Sequence, residues 1–281
     1  MELSIEIAGE RVRCKQNGKE ALSASLADFL AILVQHGDVS ALSDDAIPEG
    51  VRFLHRRGEA VVLVIEEKPQ PRTVRWLADE SPVPYGRGAV YRTARLAFPF
   101  IVLIVALRSG ALTGYQQCFY RTASVQHLDD PLFFPNLYNV AKGYRQQCWL
   151  CLANLRKNLA PLAWEEKVRE IRTHLWGAGF NQSSEVHEGN SYWQTMRSVD
   201  PRLSSLTMWE AESKKDSFFP LTVKWQPVGK TVGEVVNEML SMVAPSPLSP
   251  SVEGLSQLLT LCSTKNGTRR KWRLPFHRST A

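Results

Sequence analysis

Apolar and polar residues alternate at the start of the chain, as they do along a strand that buries one face. Residues 3–7, Leu-Ser-Ile-Glu-Ile, follow this alternation, and Val12 lies on a second short segment after the turn residues Ala-Gly-Glu. The pattern predicts an N-terminal hairpin over residues 1–20.

A helical spacing of apolar residues follows the hairpin. It is carried by Leu22, Leu26, Phe29, Leu30 and Leu33. Ser25 and Asp28 have the spacing of a capping box, and Gly37 closes the segment. The sequence therefore predicts a first amphipathic helix that begins near Leu22.

Six apolar segments with strand character lie between residues 51 and 122. They are Val51–Leu54, Ala60–Ile65, Thr73–Leu77, Val90–Arg95, Phe100–Leu107 and Tyr115–Tyr120. Turn dipeptides such as Arg57-Gly58 and Ser109-Gly110 separate them, which predicts a single antiparallel meander. The run FIVLIVAL at 100–107 is apolar at every position, so we expect a central strand that is covered on both faces.

Helical spacing returns after residue 160. Pro161 near the start, two glutamates in the first turn and Gly177 at the end predict a helix over 161–176. Further patterns predict a short helix at 192–196 and a helix that carries apolar residues between Val232 and Leu240. The fold class is therefore α+β, an antiparallel β-meander packed with helices.

Length and composition fit this picture. A chain of 281 residues with 44% hydrophobic residues can bury a sizeable core. Its longest apolar run has eight residues, against the roughly 20 that cross a bilayer, and no basic-then-apolar leader opens the chain. The sequence therefore predicts a cytoplasmic protein without a membrane partner.

The net charge of +6 originates at the end of the chain. Residues 265–281 contain six Lys and Arg residues and no acid, with Trp272 and Phe276 among them. The preceding PSPLSPS has the composition of a linker. We expect residues 245–281 to be a separable linker and basic tail, which is either solvated or contacts nucleic acid or an acidic partner.

Candidate chemistry lies in residues 133–155, FFPNLYNVAKGYRQQCWLCLANL, which contain Cys148 and Cys151 among the five cysteines of the chain. Such a pair is half of a zinc site, a redox dithiol, a packed structural pair or the source of a nucleophile. No second close pair of Cys or His residues completes a zinc site, and antiparallel strands precede the pair where a dithiol motif has a βαβ unit. We expect no metal, cofactor or disulfide framework.

The order of elements around this segment resembles the ubiquitin-conjugating enzyme fold, and its divergent bacterial branch, prokaryotic family D, in particular. Phe134-Pro135-Asn136 is similar to the family's His-Pro-Asn motif, with Phe134 in the place of the histidine. Asn139-Val140 with Gly143 before Cys148 is similar to the Asn-Val-x-x-Gly-to-Cys pattern of the branch. The resemblance implies a ubiquitin-conjugating-like domain at 21–244 with an N-terminal hairpin and a C-terminal extension.

Enzymes of that family hold the C-terminus of a ubiquitin-like protein as a cysteine thioester and transfer it to an amine. The resemblance implies Cys148 or Cys151 as the nucleophile, and the position of Gly143 favours Cys148. A second register places Cys151 with Leu152 on the family's Cys-Leu pair. The helix predicted at 161–176 would lie near the loop that contains the nucleophile.

The resemblance also implies assisting residues and partners. Asn136 or Asn139 would position the loop or stabilise the oxyanion, while His174, Asn181 or His187 would orient or deprotonate the amine. The partners would be a ubiquitin-like protein and a ubiquitin-activating-like enzyme. The alternative is a non-catalytic scaffold of the same fold in a multi-gene bacterial system.

Overall fold

The computed structural model describes residues 3–8, 11–16, 19–25, 47–152, 155 and 159–244. The chain divides into two compact units. One unit comprises Asp44–Ala244, and the other comprises the residues on either side of it.

Three antiparallel strands form the described part of the first unit: β1 (Leu3–Ala8), β2 (Arg11–Gln16) and β3 (Lys19–Ser25). Strands β1 and β2 form the hairpin that the alternation predicts. The helix predicted from Leu22 is wrong at its start, because β3 pairs with β2 as far as Ser25 opposite Arg11. The sequence Asn-Gly at 17–18 favours a hairpin and outweighs the helical spacing; the rest of that helix, residues 26–37, lies outside the described residues.

The larger unit contains two sheets. The main sheet has the order β11 (Val140–Lys142), β12 (Cys148–Leu150), β9 (Ala111–Arg121), β8 (Phe100–Arg108), β5 (Ala60–Glu67), β4 (Val51–Arg57), and β10 (Pro131–Phe133) pairs with both β9 and β14 (Pro227–Thr231). The second sheet has the order β13 (Gly179–Phe180), β6 (Gln70–Leu77), β7 (Tyr91–Phe98). The pair β13–β6 is parallel, and the other pairs are antiparallel.

A single antiparallel ribbon links the two sheets. Strands β5 and β6 pair with β8 and β7 in one register, from Ala60 opposite Arg108 to Leu77 opposite Tyr91. The register places Pro69 opposite Pro99, and proline has no N–H to donate to the ladder. The prediction of one sheet over residues 50–122 is therefore wrong: its strands are present, but β6 and β7 belong to the second sheet.

Five helices complete the described part of this unit: α1 (Trp164–Gly177), α2 (Ser183–Glu188), α3 (Tyr192–Met196), α4 (Leu206–Lys215) and α5 (Val232–Val243). Short 3₁₀ turns lie at 201–203 and 219–221. The helices predicted at 161–176, 192–196 and 232–240 are confirmed as α1, α3 and α5, and the protein is α+β. None of the described helices is both long enough and apolar enough to span a membrane.

The core lies on both faces of the main sheet and extends to the second. Residues 101–107 of β8 are at most 1% exposed, which confirms the predicted central strand. Helix α5 packs against β5 and β8. On the second sheet, the Trp76 ring lies 4.9–5.9 Å, between centroids, from four other aromatic rings: Tyr138, Phe180, Trp193 and Trp209.

A buried carboxylate lies at the bend of the ribbon. The Glu67 side chain is 1% exposed and accepts from both Arg72 and Arg172, the second of which belongs to α1. The Arg72 guanidinium also lies 4.2 Å above the ring of Trp176. Because a buried carboxylate needs compensating donors, Glu67 attaches α1 to the bend.

Replacement of Glu67 by Gln should lower the free energy of unfolding by about 3 kcal/mol, since two guanidinium groups lose their anion. The Glu212→Gln variant is the control, because Glu212 pairs with the exposed Lys215 and such pairs contribute about 0–1 kcal/mol. Urea titration of both variants measures the difference. Equal effects would show that α1 is not held by Glu67.

Candidate active site

The segment that carries the two cysteines forms a hairpin. Val140 of β11 lies opposite Leu150 of β12, and Trp149 pairs with Gln117 of β9. Cys148 is therefore the first residue of a strand in the main sheet. Cys151 lies just beyond the strand, where its backbone N–H donates to the Asn139 carbonyl at 2.7 Å.

The turn of this hairpin is strained. Arg145 (φ 52°) and Gln146 (φ 63°) both have left-handed backbone conformations, and the N–H of Gln147 donates to the Tyr144 carbonyl at 3.3 Å. These are the features of a type I′ turn, which prefers Asn-Gly at its two central positions. A Cβ at Gly143 would lie 2.4 Å from Trp149 Nε1, so only glycine fits before the turn.

Cys148 is fully buried beside a second buried thiol. The residue is 0% exposed, and so is Cys118 on the neighbouring strand β9. Burial raises the pKa of the Cys148 thiol well above its usual range, and a hydrogen bond with Tyr192 offsets only part of this effect. Because a nucleophilic cysteine needs an accessible thiolate, Cys148, the candidate that the position of Gly143 favours, does not meet the requirement.

Cys151, in contrast, is partly exposed and lines a cavity of about 530 Å³. Asn139, His174 and Asn181 line the same cavity. These four residues come from the end of β12, the loop before β11, the last turn of α1 and the residue after β13. The structure thus brings together a thiol, an imidazole and two amides that are distant in sequence.

Asn139 connects the cysteine backbone to the neighbouring wall of the cavity. Its side chain is 5% exposed, and its Oδ1 accepts from the backbone N–H of Asn181 at 3.1 Å. Its Nδ2 donates to the Gly179 carbonyl at 3.4 Å, a long contact. Asn139 therefore fixes Cys151 and Asn181 relative to each other through its carbonyl and its side chain.

Asn181 continues this network to the second sheet. Its Nδ2 donates to the Tyr91 hydroxyl at 3.0 Å and to the Gly179 carbonyl at 3.0 Å, and its Oδ1 accepts from the Ser183 N–H at 2.9 Å. A Cβ on Gly179 would lie 2.5 Å from the Tyr91 ring. This wall of the cavity is held in place before any ligand binds.

Two predicted site residues lie elsewhere. Asn136 is 0% exposed, and neither polar atom of its side chain has a hydrogen-bond partner among the described residues. His187 is exposed on α2, where its ring packs against Tyr85 at 5.0 Å between centroids. Neither residue lines the cavity around Cys151, so Asn139, His174 and Asn181 are the assisting candidates that the geometry retains.

Sequence reasoning missed the three other ionisable residues that line the cavity: Arg75, Tyr91 and Glu170. Glu170 had a usable signal, since it precedes His174 by four residues and shares its helix face. No sequence signal indicated Arg75 or Tyr91, because only the bend of the ribbon places these two residues at the cavity.

Neither metal ligands nor comparisons with known proteins assign a further role to the site. Within residues 3–8, 11–16, 19–25, 47–152, 155 and 159–244, no group of three or more His, Cys, Asp or Glu side chains could hold a metal ion. The linker and basic tail predicted at 245–281 lie outside these residues.

No family model, no curated protein and no solved structure matches the sequence.

The difference in burial predicts a difference in alkylation. Iodoacetamide in native buffer should label Cys151 well before Cys118 and Cys148, because the reagent can contact only an accessible thiol. Peptide mass spectrometry after timed quenching measures the order, and a sample in urea, where all sites react, is the control. Labelling of Cys148 at the same rate as Cys151 would contradict the assignment of Cys151 as the accessible thiol.

The double variant Arg145→Asn with Gln146→Gly should raise the free energy of unfolding by about 1 kcal/mol, because it relieves two left-handed residues. Gly143→Ala is the matched variant in the same turn and should lower it, since the new Cβ meets Trp149. Thermal and urea unfolding measure both. Destabilisation by the double variant would show that the turn is not type I′.

Proposed function

We propose that the chain is a ubiquitin-conjugating-like enzyme in which Cys151 carries the C-terminus of a ubiquitin-like protein as a thioester. The observation that carries the proposal is the shared cavity of Cys151, Asn139 and His174. A nucleophile, an amide donor and an imidazole are the groups that acyl transfer to an amine uses.

In the loading step, the Cys151 thiolate attacks the activated carbonyl that a ubiquitin-activating-like enzyme presents as its own thioester. The new C–S bond forms as the old one breaks, and the cysteine of the activating enzyme leaves as a thiolate. Partial exposure of Cys151 gives the partner access to the sulfur.

In the transfer step, His174 accepts the proton of the incoming amine, whose nitrogen attacks the thioester carbonyl. The Asn139 Nδ2 group supports the oxyanion, because its present contact with the Gly179 carbonyl is long at 3.4 Å and exchangeable. Collapse of the intermediate forms the amide, and Cys151 leaves as a thiolate that takes the proton back.

A non-catalytic scaffold is the second candidate. Phe134, in the place of the family histidine, stacks on Tyr192 at 4.8 Å between ring centroids, and the cysteine at the family's spacing is buried. In this case the Asn139 network would serve stability alone, and the protein would act through binding of other subunits, nucleic acid or an acidic partner.

The test is a loading assay with a bacterial ubiquitin-like protein, its activating enzyme and ATP. The wild-type protein should form an adduct that survives denaturation and is released by excess thiol, because a thioester exchanges with free thiolate. Cys151→Ser should abolish the adduct or make it resistant to thiol, whereas the matched Cys148→Ser should load. His174→Gln should load but discharge to amines about 100-fold more slowly.

Other outcomes decide between the candidates. Loss of the adduct in Cys148→Ser alone would move the nucleophile to Cys148. Normal loading of both serine variants would exclude both cysteines, and a wild-type protein that never loads would favour the scaffold.

A further inference from the structure

Two residues of opposite charge, both exposed, line the cavity beside Cys151. Arg75 of β6 and Glu170 of α1 both line it. Among the described ion pairs, neither residue pairs with the other or with a third group. An unpaired cation and an unpaired anion in one cavity favour a ligand that carries both charges.

The position of the cation is set by aromatic packing. The Arg75 guanidinium lies 4.9 Å above the Tyr91 ring, and the Tyr91 hydroxyl accepts from Asn181 at 3.0 Å. Stacking on a fixed ring limits the motion of the guanidinium, which suits planar recognition of a carboxylate.

The anion lies beside the candidate base. Glu170 and His174 are four residues apart on α1, so their side chains share one face of the helix. A ligand ammonium at Glu170 would therefore be next to His174 and in the cavity of Cys151. A dianionic ligand such as a phosphate ester would meet Glu170, and a diamine would meet Arg75, so both are disfavoured.

We propose that this cavity binds a small amino-acid-type zwitterion, with its carboxylate on Arg75 and its ammonium on Glu170. The volume of about 530 Å³ lies within the range of about 300–1,000 Å³ that is common for small-molecule sites. Binding of the zwitterion does not depend on the thioester chemistry.

The consequence for the acceptor rests on the proposed function. The bound ammonium loses one proton to His174, and the resulting neutral amine forms a C–N bond with the thioester carbonyl as the C–S bond to Cys151 breaks. The second proton of the nitrogen passes to the departing Cys151 thiolate, and His174 releases the first to solvent. The acceptor is then a free amino acid or a similar small zwitterion.

Protection of Cys151 from iodoacetamide tests binding in the unloaded full chain. The probes are glycine, β-alanine, 4-aminobutyrate and 6-aminohexanoate, which vary the distance between the charges. At about ten times its Kd, a bound probe should slow alkylation about tenfold, following the occupancy relation. Cadaverine and propionate, each with one kind of charge, should leave the rate unchanged.

Charge-neutral variants identify the contacts. Arg75→Gln and Glu170→Gln should each remove the protection, while Arg87→Gln and Glu165→Gln, at exposed positions outside the lining, should retain it. The proposal is overturned if no probe protects Cys151, or if protection persists in both lining variants.

The loading assay separates this inference from the proposed function. Protection by a zwitterion in a protein that never loads supports the binding site and contradicts the conjugating activity. Loading without protection by any probe overturns the zwitterion site and leaves the conjugating activity standing.

Discussion

The continuous register of the ribbon formed by residues 60–77 and 91–108 is the constraint on which the larger unit depends. The ladder breaks where Pro69 faces Pro99, so one half of the ribbon joins the main sheet and the other half pairs with β13. Glu67 beside this break binds Arg172 of α1. The bend, α1 and β13 together form the cavity, since Arg75 and Tyr91 reach it from the ribbon and His174 from the helix.

Local periodicity was sufficient for most elements of this unit. The six predicted strands and the helices α1, α3 and α5 follow from alternation and 3.6-residue spacing, because each buries the face that its own sequence makes apolar. The division into two sheets does not follow from periodicity, since it depends on two prolines that meet only after the strands have paired. In the first unit, the Asn-Gly pair at 17–18 favours the hairpin, whereas the leucine spacing alone predicted a helix.

The candidate site was predictable in its residue types and not in its choice of cysteine. The resemblance to the ubiquitin-conjugating family pointed to Asn139, Cys151 and His174, which line one cavity. It also pointed to Asn136, His187 and the favoured Cys148, which do not line it. Cys148 is buried because the hairpin turn at Arg145 and Gln146 sets a register that places it in β12 against β9. Strand pairing therefore determines which of the two thiols is accessible. The spacing from Gly143 does not predict that accessibility.

The proposed function places the acyl group on Cys151, and the direct measurement is the location of that group within the loaded protein. Acidic, thiol-free digestion followed by fragmentation of the peptide that contains both cysteines distinguishes them, because Trp149 and Leu150 separate the two sites. The account predicts the acyl mass on fragments that contain Cys151 and lack Cys148. The acyl mass on Cys148 would contradict it, as would an acyl group on neither cysteine.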